Sequence, residues 1–591
     1  MNSNKLRIDK NKVMKVSDYI VQFLHDNGVT CVFEMSGGMI THILDSLYKN
    51  GKIRIVSTHH EQAAAFAADA FGRMTGVPGV AMATSGPGAT NLLTGIGSCY
   101  FDSSPALFIT GQVNRNEIKG NRKIRQLGFQ ETDIVSIALP ITKAAWQAQT
   151  PEEIPELLKQ AFVLATSGRP GPVLLDIPMD VQRADISIQE IANAKSITKE
   201  KPPLNDHLYE KLFLNLRNAK RPLTLVGGGV RAASAIHLLR NFIHKIRIPV
   251  VFSLMAVDIL PYDDPLRIGM IGSYGNRWAN LTIAKSDVLI VIGSRLDVRQ
   301  TGSQTTAFKG DKKIFHIDCE EGEINNRVIG CNAIIADIKE FLTTASRLIE
   351  DQQLEEQTEW LKEINTLKQS WPDTAELATS ISGINPNIFM HKLSKISTQA
   401  AAYVSDVGQH QMWAAQSLEL TSNQRFLTSG GMGSMGFGLP AAIGVAFAVS
   451  PKPVVVIAGD GGFQSNIHEL QTVVRNQLPM KIVVLNNHCH GMVRQFQESY
   501  FEGRYQSTFW GYSAPDFEAI STAYGIPSKT IENENEVEQA LQWLWSDPTK
   551  PALLQVIIDT FANAYPKIAF GSPNTEMEPF TKSPKNTLDI E

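Results

Sequence analysis

The sequence predicts an α/β protein made of three doubly wound, parallel-sheet domains. Three observations support that reading. A chain of 591 residues is too long for a single core. Short apolar runs alternate with Ala-rich, helix-like segments, the pattern of strands buried between crossover helices. Polar stretches interrupt the alternation twice, dividing it into units at residues 13–184, 207–349 and 386–565, with a tail at 566–591.

In the first unit CVFEM leads to a helix after Gly38, IRIVSTH to EQAAAFAADAFGR, and GVAMATS to GATNLLTGIGSCY; ALFITG and PVLLDIP are further strands. Asp185 to Asp206, with KEKPP near its end, reads as a linker. The second unit has LTLVGGG, PVVFSL, VLIVIG and KIFHID as strands and ends near Ile349. The polar stretch EDQQLEEQTEWLKEINTLKQSWPD reads as a connecting helix. In the third unit RFLTSGGMGSMG leads into LPAAIGVAFA, then VVVIAGDGG and a helix, then KIVVL ending at Asn486-Asn487. The first and third units follow a similar order of events, which suggests a diverged duplication, although all doubly wound domains look alike at this level.

Bulk composition excludes several classes of function. Lys and Arg number 55 against 59 Asp and Glu, with no basic stripe, so nucleic acid is not an expected partner. The five cysteines, Cys31, Cys99, Cys319, Cys331 and Cys489, are scattered and lack CxxC spacing, which argues against a zinc site or a disulfide framework. No apolar segment follows the charged N-terminus, and every long apolar run is broken by charge, Gly or Pro. A soluble, cytoplasmic protein with no membrane partner is expected.

The chemistry concentrates in two places. VVVIA stops at Gly459-Asp460-Gly461-Gly462, and KIVVL stops at Asn486-Asn487, so one right-handed crossover brings Asp460 and Asn487 to the same sheet edge. A carboxylate and an amide oxygen are hard ligands suited to Mg2+, which completes its octahedron from phosphate and water. Gly461 and Gly462 let backbone N–H groups approach those phosphates, with a helix expected to begin near Phe463. GDG by itself also fits an ordinary strand-turn-helix. Glu61 in STHHEQAAAFAADAFG stands before a helix flanked by Ala and Phe, where poor solvation is expected to raise its pKa. A lone Glu at a helix N-terminus also fits a plain dipole contact.

GDG followed by NN at this spacing resembles the thiamine diphosphate (ThDP) fingerprint. The chain from Val16 to about Ala564 is similar to acetohydroxyacid synthase (acetolactate synthase), the flavin-containing branch of the pyruvate-decarboxylating ThDP enzymes. The likeness rests on HHEQAAAFAADAFGR, TSGPGATNLLTGI, GFQETD, SGRPGPVLLDIP, VGGG, GSRLDVRQTG, VGQHQMWAAQ, GGMGSMGFGLPAAIG, GDGGF and LNNHCHGMVRQFQ. It implies an N-terminal ThDP-binding (Pyr) domain, a central FAD-binding-type domain and a C-terminal ThDP/Mg-binding (PP) domain. Glu61 falls on the family's catalytic glutamate, whose carboxyl group faces the cofactor's aminopyrimidine. Gly86, Val407, Gly408, Gln409, His410, Gly433, Met435, Met492 and Val493 match ThDP contacts, as do Asp460, Gly461, Gly462 and Asn487. Asp460, Asn487 and the carbonyl of Cys489 are the implied metal ligands, although the family commonly has another residue type at Cys489. Met435 is the implied prop that bends the cofactor.

The same resemblance assigns Gly227, Gly228, Gly229, Ser273, Tyr274, Gly275, Gly293, Arg295 and Asp318 to FAD, which does no net redox chemistry in this family; the run is not a GxGxxG fingerprint. Gly38, Phe129, Gln130, Arg299 and Phe496 match the substrate region. Phe496 stands where the family usually has a Trp, and Ser273 where it has a Met; both changes remove volume. Met39 adds volume after paired glycines, and Val298 breaks an acidic pair before Arg299. Pyruvate is the implied donor. The acceptor is another 2-oxoacid, favoured by Arg299, or a larger ketone such as a keto-sugar nucleotide, favoured by the smaller side chains. A non-catalytic ThDP- or FAD-binding protein is the third reading, opposed by Glu61, Asp460 and Asn487 together. A homodimer or homotetramer with sites between subunits, and a small regulatory subunit, are further implications.

Overall fold

In the computed structural model, which describes residues 13–187, 206–349, 357–377 and 381–579, each apolar run forecast as a strand lies in one of three six-stranded sheets. After β1 (Val13–Lys15) come β2 (Cys31–Glu34), β3 (Arg54–Ser57), β4 (Gly79–Ala83), β5 (Ala106–Gln112), β6 (Ala144–Gln147) and β7 (Pro172–Pro178). They lie in the order β3-β2-β4-β5-β7-β6. β8 (Asp185–Ser187) pairs antiparallel with β1, so the first three residues of the expected linker are a strand that clasps the N-terminus; its later part lies outside the described residues. Two helices of this unit bear on the site, α1 (Glu61–Thr75) and α2 (Leu93–Asp102). The His60 side chain accepts the Gln62 N–H at the start of α1, and Gly76, with φ of 76°, ends it in the left-handed conformation.

The central sheet holds β9 (Pro222–Val226), β10 (Val250–Phe252), β11 (Arg267–Met270), β12 (Val288–Ile292), β13 (Lys313–Asp318) and β14 (Asn332–Ile335) in the order β11-β10-β9-β12-β13-β14. Counted within the unit this is 3-2-1-4-5-6, the order of dinucleotide-binding folds, with the switch point between β9 and β12. Its helices include α3 (Gly229–Ala232), α4 (Arg277–Lys285) and α5 (Thr358–Ser370). The expected connecting helix is α5, and it is more than a connector. Trp360, Ile364 and Leu367 form a buried stripe against the central sheet, and Trp360 Nε1 donates to the Pro222 carbonyl at 3.1 Å. Residues 350–356 of that stretch lie outside the described residues.

The third sheet holds β15 (Ala402–Ser405), β16 (Arg425–Leu427), β17 (Val454–Gly459), β18 (Met480–Asn486), β19 (Ser528–Ile531) and β20 (Ala552–Ile557), ordered β16-β15-β17-β18-β20-β19. That order repeats the first sheet strand for strand, as a duplication requires. Every pairing within the three sheets is parallel. The helices that matter below are α6 (Pro386–Ile396), α7 (Gln409–Ser417), α8 (Gly438–Val449), α9 (Asp460–Ser465) and α10 (Gly491–Tyr500).

Helices α1 and α8 join the first and third units through one apolar core that runs from Ala64–Phe71 to Leu439–Ala446. Small residues allow the approach: a side chain at Gly444 would overlap the Ala67 carbonyl. The tail is folded as well. β21 (Lys567–Ile568) and β22 (Met577–Glu578) pair with each other and lie on the central unit. There Ile568 N donates to Ser273 O at 2.9 Å, and Arg277 donates to the carbonyls of Met577, Glu578 and Pro579. Only its last residues, 580–591, lie outside the described range.

Candidate active site

Strands β17 and β18 are in register from Val454↔Met480 to Gly459↔Leu485, which sets Asp460 and Asn487 at one edge, as the crossover requires. Asp460 is 3 % exposed, and burial pushes its carboxyl up to about 7 against hydrogen bonds from the Tyr512 hydroxyl and the Gly461 and Cys489 amides. Its Oδ2 is buried without a hydrogen-bond partner. Asn487 Oδ1 accepts the Cys489 N–H at 3.2 Å, and its Nδ2 donates to Gln409 Oε1 at 3.4 Å. The Cys489 carbonyl accepts the Gly491 N–H at 2.9 Å and keeps a second lone pair. An orphaned carboxylate oxygen beside an amide and a main-chain oxygen fits a hard divalent cation completed by phosphate oxygens. Among the described residues no cluster of three His, Cys, Asp or Glu side chains offers another metal site.

The helix expected near Phe463 begins earlier, at Asp460, so Gly461 and Gly462 form its first turn. Close neighbours exclude side chains there: an added Cβ would lie 2.6 Å from His490 Cε1 at Gly461 and 2.7 Å from Asp406 Oδ1 at Gly462. Asp406 itself was not singled out from the sequence. Its buried carboxylate accepts the N–H groups of Val407 at 2.6 Å, Gly436 at 3.0 Å and Gly438 at 2.9 Å. Burial pushes it up to about 6 even against those donors. Asp406 thereby bolts down the loop that carries Gly433, with φ of 70°, and Met435, whose Cε reaches within 3.3 Å of the space above Gly461.

Gly408 precedes α7, and Gln409 and His410 open it. Gln409 Nε2 donates to Gln495 Oε1 at 3.1 Å, which ties α7 to α10. Burial pushes the His410 imidazole down to about 3, and its Nε2 is another buried atom without a partner. Met492 and Val493 lie in the first turn of α10, Val493 exposed.

Residues of the first unit gather at the end of β4. Gly86, with φ of 71°, lies against Gln130, and Met39 N donates to Thr84 Oγ1 at 3.3 Å beside Gly38. Glu61 is the first residue of α1; Asn91 Nδ2 donates to its Oε2 at 3.0 Å, and its Oε1 approaches Gly88. The expectation of an apolar enclosure is not met within one chain. The Ala and Phe flank of α1 is turned into the core with α8, while Glu61 at the end of the helix is half-buried. Gln62, the next residue, accepts from Asn466 Nδ2 at 3.2 Å, which links the two units. Phe129 is 81 % exposed. Met39 is buried, with its carbonyl and Cβ close against Gly111 of β5.

Three family models match the chain in succession. Residues 14–137 match the thiamine pyrophosphate enzyme N-terminal TPP binding domain, 209–345 the central domain and 406–556 the C-terminal TPP binding domain. The acetolactate synthase large subunit of Cyanidium caldarium is 36 % identical over 98 % of this chain and 99 % of its own length. The isozyme 2 large subunit of Escherichia coli (strain K12) is 37 % identical over 95 % of this chain and 99 % of its own. The chain belongs to the acetolactate synthase family of thiamine pyrophosphate enzymes. It is a thiamine pyrophosphate-dependent carboligase.

This family member also has a cavity of about 550 Å³ at the switch point of its central sheet. Gly228, Gly229, Ser273, Tyr274, Gly293, Arg295, Arg299 and Asp318 line it. Gly227 and Gly275, also expected to contact a ligand, are not in its wall. Gly227 is pressed against Gly293 and Ser294, and Gly275 against Met270 and Ile271, so both serve close backbone packing. Sequence reasoning missed the far wall, where Arg73, Phe101, Asp102, Gly430 and Gly431 reach in from the other two units. Arg299 and Ser273 are joined by the Ser273 N–H donating to the Arg299 carbonyl at 2.6 Å. Phe496 is half exposed on α10, its ring 4.7 Å from that of Tyr500.

Proposed function

We propose that this enzyme decarboxylates pyruvate and joins the remaining two-carbon unit to a second 2-oxoacid, pyruvate itself giving 2-acetolactate. The observation that carries the reading is the orphaned buried Asp460 carboxylate oxygen beside Asn487, within a near full-length match to acetolactate synthases. Bound thiamine diphosphate would supply the nucleophilic carbon and the electron sink. Asp460, Asn487 and the Cys489 carbonyl would hold Mg2+ and through it the diphosphate, with the first turn of α9 open to phosphate oxygens at Gly461 and Gly462. Met435 would prop the cofactor, with Val407, Gly408, Gln409, His410, Gly433, Met492 and Val493 around it. Glu61 would hold the proton shared with the aminopyrimidine, and Gly86, Gly38, Phe129 and Gln130 would border the reacting carbons. Arg299 offers a guanidinium to the acceptor carboxylate.

FAD is the proposed occupant of the central cavity, whose arginines and glycine turns suit a dinucleotide, in a non-redox role. Half-buried Glu61 and exposed Phe129, Met435, Val493 and Phe496 support a site completed by a second copy of the chain, in a homodimer or homotetramer. The relatives are named as large subunits, which supports a small regulatory subunit as a partner. No helix among the described residues is long and apolar enough to cross a membrane; a cytoplasmic enzyme is proposed. Phe496 and Ser273 favour a second reading in which the acceptor is a larger ketone. The test is product mass after incubation with pyruvate, ThDP, Mg2+ and FAD, with and without 2-oxobutanoate. Rapid 2-acetolactate formation supports the first reading; CO2 release with little acetolactate moves the assignment to the larger ketone.

A further inference from the structure

The wall of the central cavity and the loop that carries Met435 share one carboxylate. Asp102, the last residue of α2, accepts the Gly430 N–H at 3.0 Å, the Gly431 N–H at 2.6 Å and Arg73 Nη2 at 2.9 Å. Its side chain is 2 % exposed. Arg73 is gripped in turn by both oxygens of Asp69, at 2.6 and 2.8 Å, and donates to the Thr428 carbonyl at 2.8 Å. The first unit therefore holds the entry of the glycine-rich loop, as Asp406 holds its exit at Gly436 and Gly438. Arg73, Phe101, Asp102, Gly430 and Gly431 all line the cavity. A side chain at Gly431 would lie 2.8 Å from Phe101 Cβ, so this part of the wall is tightly packed.

We propose that Asp102 is a positioning residue through which occupancy of the central cavity sets the Gly430–Gly438 loop and, with it, the thiamine site. The proposal rests on reading the cavity as a flavin dinucleotide site. A glycine-rich segment loses much conformational freedom when it is fixed. A ligand seated against Gly430, Gly431 and Asp102 bears part of that cost, so less remains when ThDP binds beside Met435. The coupling is reciprocal: ThDP favours the flavin by the same factor. A flavin with no electrons to move thus has a task, which is to hold one end of the loop that shapes the other cofactor's site.

The test uses the full-length protein and its Asp102→Asn variant, in which the amide cannot accept all the hydrogen bonds the carboxylate accepts. Two quantities are read with and without FAD: ThDP affinity in the presence of Mg2+, from tryptophan fluorescence, and hydrogen exchange of the peptide spanning residues 430–438. In the unaltered enzyme FAD is expected to tighten ThDP about tenfold and to slow exchange in the loop. In Asp102→Asn, compared with the unaltered enzyme at FAD concentrations that give equal bound flavin by absorbance after gel filtration, both responses are expected to vanish. A variant that responds to FAD as the unaltered enzyme does overturns the proposal. So does an unaltered enzyme that binds FAD with no change in ThDP affinity or loop exchange, a result that needs no variant and leaves the flavin assignment standing. Absence of flavin binding to the unaltered enzyme removes the assignment and the coupling together, and is recognised by its missing absorbance.

Discussion

Glu61 and Asp406 are carboxylates with opposite surroundings, and the difference separates the chemical role proposed for Glu61 from a positioning one. Glu61 is half-buried, held on one oxygen by Asn91, with the other oxygen facing Gly88. Glu61→Gln keeps the shape and removes the exchangeable proton. Its rate of product formation is expected to fall about 10²- to 10⁴-fold, with ThDP binding, followed by fluorescence, retained. Asp406 is fully enclosed by three N–H donors, so it has no room to meet a substrate. In Asp406→Asn one carboxylate oxygen becomes an amide donor facing another donor. We expect a loss of about 1–3 kcal/mol in folding stability and weaker ThDP binding, measured by urea unfolding and fluorescence titration.

Helix α6 shows how an element is held by charge as well as by packing. Its Asn385 cap accepts the Asn387 and Ile388 N–H groups, and Phe389, Met390 and Leu393 are buried. His391 on the same helix bonds Asp373 at 3.0 Å and Glu419 at 2.8 Å. Burial lowers its pKa, but the hydrogen bonds and charges of the two carboxylates outweigh burial and leave it raised above 6.5. Because the folded value exceeds the unfolded one, this contact stabilises fully below pH 6.5 and the contribution is lost as pH rises through the folded value. The stability difference between the unaltered protein and His391→Gln is therefore expected to shrink from pH 6 to pH 9, read as urea midpoints. A difference that grows with pH would contradict the assignment.

Across the whole molecule the tail and the interunit clasps decide how the domains act together. Arg277 forms a buried pair with Glu376 at 2.7 Å and gathers the carbonyls of Met577, Glu578 and Pro579. A chain ended after Tyr565 leaves that guanidinium short of acceptors and exposes core contacts of Ile568 and Met577. Its melting midpoint is expected to fall by about 5 °C or more, with retention of the proposed flavin falling as Ser273 and Arg299 lose the support of β21. An unchanged midpoint would show that the tail is dispensable.

Much of this was legible in the chain itself. Periodicity and glycine stops placed the strands, and the GDG and NN ends predicted that Asp460 and Asn487 share an edge, because a right-handed crossover leaves parallel strands no other arrangement. Strands such as β6, β11, β14 and β19, short or part polar, carry too weak a pattern to be seen that way. The clasps were invisible for a different reason. Asp102 meets Gly430 across 328 positions of sequence, and Asp406 gives no local sign that three amides will converge on it. The same holds for α5, for the tail on the central sheet, and for the separation of Gly228 and Gly229 in the cavity wall from Gly227 in the packing behind it. Backbone pattern is a local property and is written in neighbouring residues. Which buried donor meets which buried acceptor depends on how three sheets pack, and only the tertiary structure decides it.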